Sequence, residues 1–147
     1  MKKCNSQSGV MLLEAMIGVL IFSFGILAIV GLQAVSIKQA GDAQFRSEAG
    51  LLANQLLSEM WVSDRTAATL STNFSSAGAG GAAYNTWLAN VQATLPGVTA
   101  NPPTVVVDTG ATVAADAGQV TITVFWKSPS EPEADAAHSY VLMAQVK

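Results

Sequence analysis

The sequence predicts an α+β fold in which a long N-terminal α-helix packs on a small antiparallel β-sheet. Three observations lead to this fold class. Residues 10–32 form an almost unbroken apolar stretch, no proline occurs before Pro96, and strand-like segments appear only after Pro103. Because proline is the strongest helix breaker, a single helix can run from about Val10 well past residue 60. The 147 residues then leave room for one modest domain after this helix.

The apolar stretch from Val10 to Leu32 is predicted to span a membrane. It reads VMLLEAMIGVLIFSFGILAIVGL and contains one charged side chain, the carboxylate of Glu14. A helix of this length is roughly 34 Å long, and the core of a bilayer is about 30 Å thick. A carboxylate within such a span costs on the order of 2.5 kcal/mol or more, so it normally has a partner or a function. A helix that only anchors a domain does not need Glu14.

The helix is expected to continue through residues 33–65 as an amphipathic segment. Apolar residues recur there at steps of three and four, which places them on one face of a helix. They are Phe45, Ala49, Leu52, Leu56 and Met60. Leu51 and Leu57 widen this apolar stripe, so the segment is expected to pack against a domain.

Residues 66–147 are predicted to form that small α+β domain. The segment Thr66–Ala83 is rich in Ser, Thr, Gly and Ala and is interpreted as a loop, whereas Tyr84–Leu95 has apolar residues at helical spacing. Three strands are predicted, at Thr104–Asp108, Gln119–Lys127 and Ser139–Val146. One side of the second strand is expected to carry Val120, Ile122, Val124 and Trp126.

Composition argues against several classes of function. The chain has 7 basic and 10 acidic side chains. If residues 1–9 were removed, Lys2 and Lys3 would be lost, and 5 basic and 10 acidic side chains would remain. Nucleic-acid binding needs clustered Lys and Arg, so no nucleic-acid partner is expected.

His138 is the only histidine, which excludes a multi-histidine metal site. With no recognisable catalytic constellation or phosphate-binding loop, the sequence predicts a protein that is not an enzyme and has no cofactor and no metal. Calcium binding is left as an alternative, and its candidate ligands are Asp108, Asp116, Glu131, Glu133 and Asp135.

The first nine residues, MKKCNSQSG, form a short polar leader whose only charged side chains are Lys2 and Lys3. Lysines beside an apolar segment favour a cytoplasmic location for that end of the chain. The leader, the sequence Gly9-Val10-Met11-Leu12-Leu13-Glu14 and the apolar stretch together resemble the processing site of type IV prepilins, although Val10 stands where Phe or Met is commoner. The resemblance implies that a prepilin peptidase cuts between Gly9 and Val10 and methylates the new amine of Val10. It also implies that Glu14 pairs with the terminal amine of a neighbouring subunit and sets the register of assembly.

Further segments are similar to minor pilins of the PilV type, which are type IV pilus modification proteins. They are LLEAMIGVLIFSFGILAIVGLQA, AGLLANQLLSEM, Trp87-Leu88 before Leu95-Pro96-Gly97, and Val124-Phe125-Trp126. This resemblance implies a pilin-like fold and a single-pass protein of the bacterial inner membrane, with its C-terminal domain in the periplasm, that is incorporated in the pilus. The implied partners are the prepilin peptidase, other minor pilins and the major pilin. The chain departs from many pilins in its cysteines, because the only one, Cys4, lies in the leader.

Two other interpretations stay open at this point. A minor pseudopilin of a type II secretion system would have the same leader and the same helix but would serve protein export. A membrane-tethered periplasmic domain unrelated to filaments would keep its original start or would be cut near Ala34, as a secretory signal is.

Overall fold

The computed structural model describes residues 8–110 and 118–146. These residues form three helices and three strands in the order α1 (Ser8–Val62), α2 (Ala67–Phe74), α3 (Ala82–Thr94), β1 (Thr104–Val107), β2 (Gln119–Trp126) and β3 (His138–Gln145). The fold is α+β, with a long N-terminal helix and a small antiparallel sheet, as the sequence predicts. The chain divides into two compact units, one that ends at Ala40 and one that starts at Gly41.

The described part of the first unit is the N-terminal portion of α1. Every side chain from Gly9 to Ala40 is exposed. The helix is continuous through Gly18, Gly25 and Gly31, so these glycines do not interrupt it. An 18-residue window of α1 reaches a mean hydropathy of 2.6, and among the described residues α1 is the helix that is long and apolar enough to cross a membrane. The expectation of a spanning helix is therefore met in length and composition.

The second unit contains a hydrophobic core to which α1, α2, α3 and the sheet all contribute. The apolar face predicted for the second half of α1 is confirmed: Ala49, Leu52, Leu56 and Met60 are buried, and Phe45 packs against them half-buried. The prediction for Leu51 is wrong, because its side chain is 68% exposed. Leu51 lies about 100° around the helix from Leu52, which turns it away from the core.

The sheet is a three-stranded antiparallel meander in the order β1-β2-β3. The predicted strands are confirmed, with ends that differ by one residue from the expected ones. Residues Val105, Ile122 and Leu142 lie opposite one another across the three strands. In β2 the side chains alternate strictly, and the buried ones are Val120, Ile122, Val124 and Trp126, as predicted. This alternation fixes the register, because a slip of one residue would expose the whole apolar set.

The segment interpreted as a loop, Thr66–Ala83, contains the helix α2, so this prediction is wrong for Ala67–Phe74. It is also wrong for Ala82 and Ala83, which form the start of α3. The backbone N–H of Thr66 donates to Oδ1 of Asp64 (3.0 Å), which shapes the turn before the helix. Leu70 and Phe74, four residues apart, are both buried in the core. An eight-residue helix is marginal by itself, so burial of these two side chains stabilises it.

Helix α3 is confirmed, and its buried residues attach it to the remainder of the second unit. The indole N–H of Trp87 donates to the carbonyl oxygen of Leu52 in α1 (2.9 Å). The hydroxyl of Tyr84 donates to the carbonyl oxygen of Pro103, just before β1 (2.7 Å). Burial raises the pKa of Tyr84, so this hydroxyl stays protonated and remains a donor.

Gly81, which precedes α3, has the smallest space for a side chain in this part of the fold. A Cβ there would collide with the backbone carbonyl group of Asn73 at the end of α2. We expect Gly81→Ala to lower the free energy of unfolding by about 1–3 kcal/mol, because α2 and α3 must move apart. Urea unfolding of a fragment that begins at Ser36, and so carries the entire core, measures this loss. Gly41→Ala is the control, since nothing lies within 4 Å of its Cβ, and an equal loss in both variants would contradict the prediction.

Candidate functional site

The predicted processing site lies at the start of α1. Gly9, Val10 and Glu14 are all on this helix and all exposed, whereas Lys2, Lys3 and Cys4 of the leader lie outside the described residues. Glu14 follows Val10 by four residues, which is about one helical turn and a rise of about 6 Å. The two positions therefore share one face of the helix.

The surroundings of Glu14 are apolar and open. Exposed apolar side chains precede and follow it on the helix: Leu12, Leu13, Met16 and Ile17 are each at least half exposed. In the described part of the chain, no hydrogen bond or ion pair joins the carboxylate of Glu14 to another residue. The carboxylate is thus presented on the outside of an apolar helix.

This arrangement is costly within a lipid bilayer and favourable only beside a cation. A lone carboxylate at membrane depth costs several kcal/mol, and a positive group at hydrogen-bonding distance offsets part of that cost. The free α-amine that cleavage after Gly9 would create on Val10 is one such cation. Val10 is one helical turn from Glu14 along the axis. A second copy of the helix that is shifted by this distance would therefore bring its own amine beside Glu14.

The sequence also singled out His138 and the acidic residues near it. The structure pairs His138 with Glu131: the imidazole Nε2 lies 2.8 Å from Oε1 of Glu131. Asp135, nearer in sequence, contributes its backbone carbonyl to Lys127. Of the other candidate calcium ligands, Asp108 accepts a hydrogen bond from the backbone N–H of Gly110 (2.7 Å), and Asp116 lies outside the described residues.

One residue that lies beside His138 and Glu131 was not expected from the sequence. Asp42, on α1, has a carboxylate oxygen that lies within 4.8 Å of ligand atoms of Glu131 and His138. Nothing in the spacing of these residues indicates their proximity, because Asp42 is on α1, Glu131 is in the loop between β2 and β3, and His138 is the first residue of β3. The packing of α1 against β3 brings them together: Gly50 of α1 faces the ring of Tyr140 so closely that a Cβ added at Gly50 would lie 3.6 Å from it.

No protein family, no curated protein and no solved structure matches this chain.

Proposed function

We propose that this protein is a minor pilin of a type IV pilus, a structural subunit rather than an enzyme. A prepilin peptidase cuts it between Gly9 and Val10 and methylates the amine of Val10. The protein then lies in the bacterial inner membrane, with α1 crossing once and the second unit in the periplasm, until it joins a filament. The observation that carries this proposal is the lone carboxylate of Glu14 on an exposed apolar helix, one turn after the cleavage position.

Charge pairing supplies the driving force for assembly. Before assembly, Glu14 and the amine of its own chain are four residues apart, which is about one turn of the same helix. In a stack of helices the amine of one copy lies beside Glu14 of the next. Two opposite charges about 4 Å apart attract by roughly 4 kcal/mol at the effective dielectric constant of a protein surface. Apolar contacts between the helices add to this attraction. The charge pair also fixes the position of each copy along the axis relative to its neighbour.

The second unit offers surfaces for other subunits. Strand β3 is at one edge of the sheet, and the outer face exposes Val106, Val141 and Met143. The second half of α1 also exposes Leu51 and Val62. We propose that other minor pilins and the major pilin bind at the sheet edge or the exposed helix face. Such a complex would prime or tip the pilus and thereby support adhesion and twitching motility.

Intact mass spectrometry of the protein purified from membranes tests this proposal. The expected mass corresponds to residues 10–147 with one added methyl group, because cleavage and methylation are carried out by one peptidase. Gly9→Leu is expected to yield the full-length mass, since the resemblance places the cut directly after this glycine. A wild-type chain that starts at Met1, or one cut near Ala34, would contradict the proposal and favour a tethered domain. If the mass is as expected, loss of protein secretion without loss of twitching in a deletion strain would identify a pseudopilin instead.

A further inference from the structure

We propose that Asp42, Glu131 and His138 bind a divalent transition-metal ion, with Zn²⁺ as the best fit, in the second unit. Each residue offers one ligand atom, and the three atoms lie within 4.8 Å of one another. The inference concerns the folded domain and does not depend on the role proposed for Glu14.

The distances are close to those of a metal site. Three atoms that lie within 4.8 Å of one another share a point at most about 2.8 Å from each of them. Zinc bonds to histidine nitrogen and carboxylate oxygen are about 2.0–2.2 Å long, so small side-chain rotations suffice. Nε2 of His138 and Oε1 of Glu131 lie 2.8 Å apart in a hydrogen bond that coordination of both atoms to the metal ion would replace.

Burial of the carboxylates is the second argument. Oδ1 of Asp42 is inaccessible to solvent and accepts no hydrogen bond from any described residue. A buried carboxylate oxygen without a donor is unfavourable by roughly 1–3 kcal/mol or more. The side chain of Glu131 is only 6% exposed. Two carboxylates and a neutral imidazole carry a charge of −2, which a divalent cation neutralises.

The ligands are held in place by their neighbours. The ring of His138 stacks on the indole of Trp126, with ring centres 5.7 Å apart and planes at 21°. The ammonium group of Lys127 donates to the carbonyl oxygens of Glu133 (2.6 Å) and Asp135 (2.8 Å), which closes the loop that carries Glu131. Positioning of this kind lowers the cost of binding, because little freedom is lost when the metal arrives.

The ligand types select the metal. Imidazole together with carboxylates suits Zn²⁺ and its neighbours in the first transition row. Calcium takes six to eight oxygen ligands, which two carboxylates and an imidazole do not provide. A bound metal ion would join α1 to the loop between β2 and β3 and so fix the end of the sheet against the helix.

Isothermal titration of the full chain in detergent micelles, without an affinity tag, tests the site with Zn²⁺ and Ca²⁺. We expect one Zn²⁺ per chain and much weaker binding of Ca²⁺. Asp42→Asn should weaken Zn²⁺ binding at least about tenfold, because it removes one of three ligands. His138→Gln should have a similar effect, and Zn²⁺ should raise the melting temperature of the wild type but of neither variant.

Glu133→Gln is the matched control, because Glu133 is an exposed acid of the same loop, and it is its backbone carbonyl oxygen that accepts the hydrogen bond from Lys127. Its affinity for Zn²⁺ should equal that of the wild type. The proposal is overturned if the wild type does not bind Zn²⁺, if it binds Ca²⁺ more tightly, or if Asp42→Asn or His138→Gln retains the wild-type affinity.

Discussion

Replacement of Glu14 by Gln is expected to leave the protein in the inner membrane and to remove it from filaments. Insertion depends on the apolar stretch, and loss of its single charge makes that stretch more apolar. In the proposed pilin, assembly depends on the charge itself. Without the carboxylate, the amine of the neighbouring Val10 has no partner at membrane depth, and breaking a buried pair in this way costs about 3–5 kcal/mol. A loss of 3 kcal/mol corresponds to roughly a hundredfold lower incorporation.

The measurement compares the amount of the protein in membranes with its amount in filaments sheared from the cells. Glu14→Gln keeps the size and shape of the side chain but replaces one acceptor oxygen with an uncharged NH2 donor, so an effect reports the loss of the carboxylate. Glu59→Gln is the matched control, because Glu59 is an exposed carboxylate on the same helix but in the second unit. Incorporation of Glu14→Gln at the wild-type level would eliminate the assembly role of this residue. Loss of both variants from the membrane would point to an insertion defect instead.

The fold was predictable where one residue pattern dominates a segment. The strict alternation in β2 and the long proline-free stretch of α1 each have one interpretation, and both are confirmed. Helix α2 was not predictable, because its sequence AATLSTNF is polar and loop-like and it forms through burial of Leu70 and Phe74 against other elements. The orientation of Leu51 depends in the same way on which face of α1 the sheet covers.

The two candidate sites differ in how far the sequence can identify them. Glu14 stands out because one charge within 23 apolar residues is visible without any structure. The cluster of Asp42, Glu131 and His138 has no such signature, since Asp42 belongs to an ordinary polar stretch of α1. The sequence pointed to Asp135 as the neighbour of His138, whereas the turn in which Glu131 N–H donates to the carbonyl oxygen of Ser128 (3.0 Å) places Glu131 there instead.

Replacement of Trp87 by Ala is expected to lower the free energy of unfolding of the second unit by about 3–5 kcal/mol. Trp87 is 1% exposed and is the largest fully buried side chain among the described residues. Its indole N–H also holds α3 to α1 through the carbonyl oxygen of Leu52, and its ring lies 6.0 Å from that of Tyr84. Domains of this size have about 5–15 kcal/mol of stability in total. Residues 10–147 contain no cysteine, so no disulfide offsets the loss.

Urea unfolding of the fragment that begins at Ser36, followed by circular dichroism, measures the change. Trp61→Ala is the matched control, because Trp61 is 45% exposed and the guanidinium carbon of Arg65 lies over its ring, 6.0 Å from the ring centre. This variant should lose about 1 kcal/mol or less. Trp87→Phe should fall between the two, since it keeps an aromatic ring in the core but loses the hydrogen bond. Equal losses for Trp61→Ala and Trp87→Ala would mean that α3 does not pack on α1 through Trp87. A large loss confined to Trp87 would instead show that the attachment of α3 to α1 contributes a large share of the stability of the second unit.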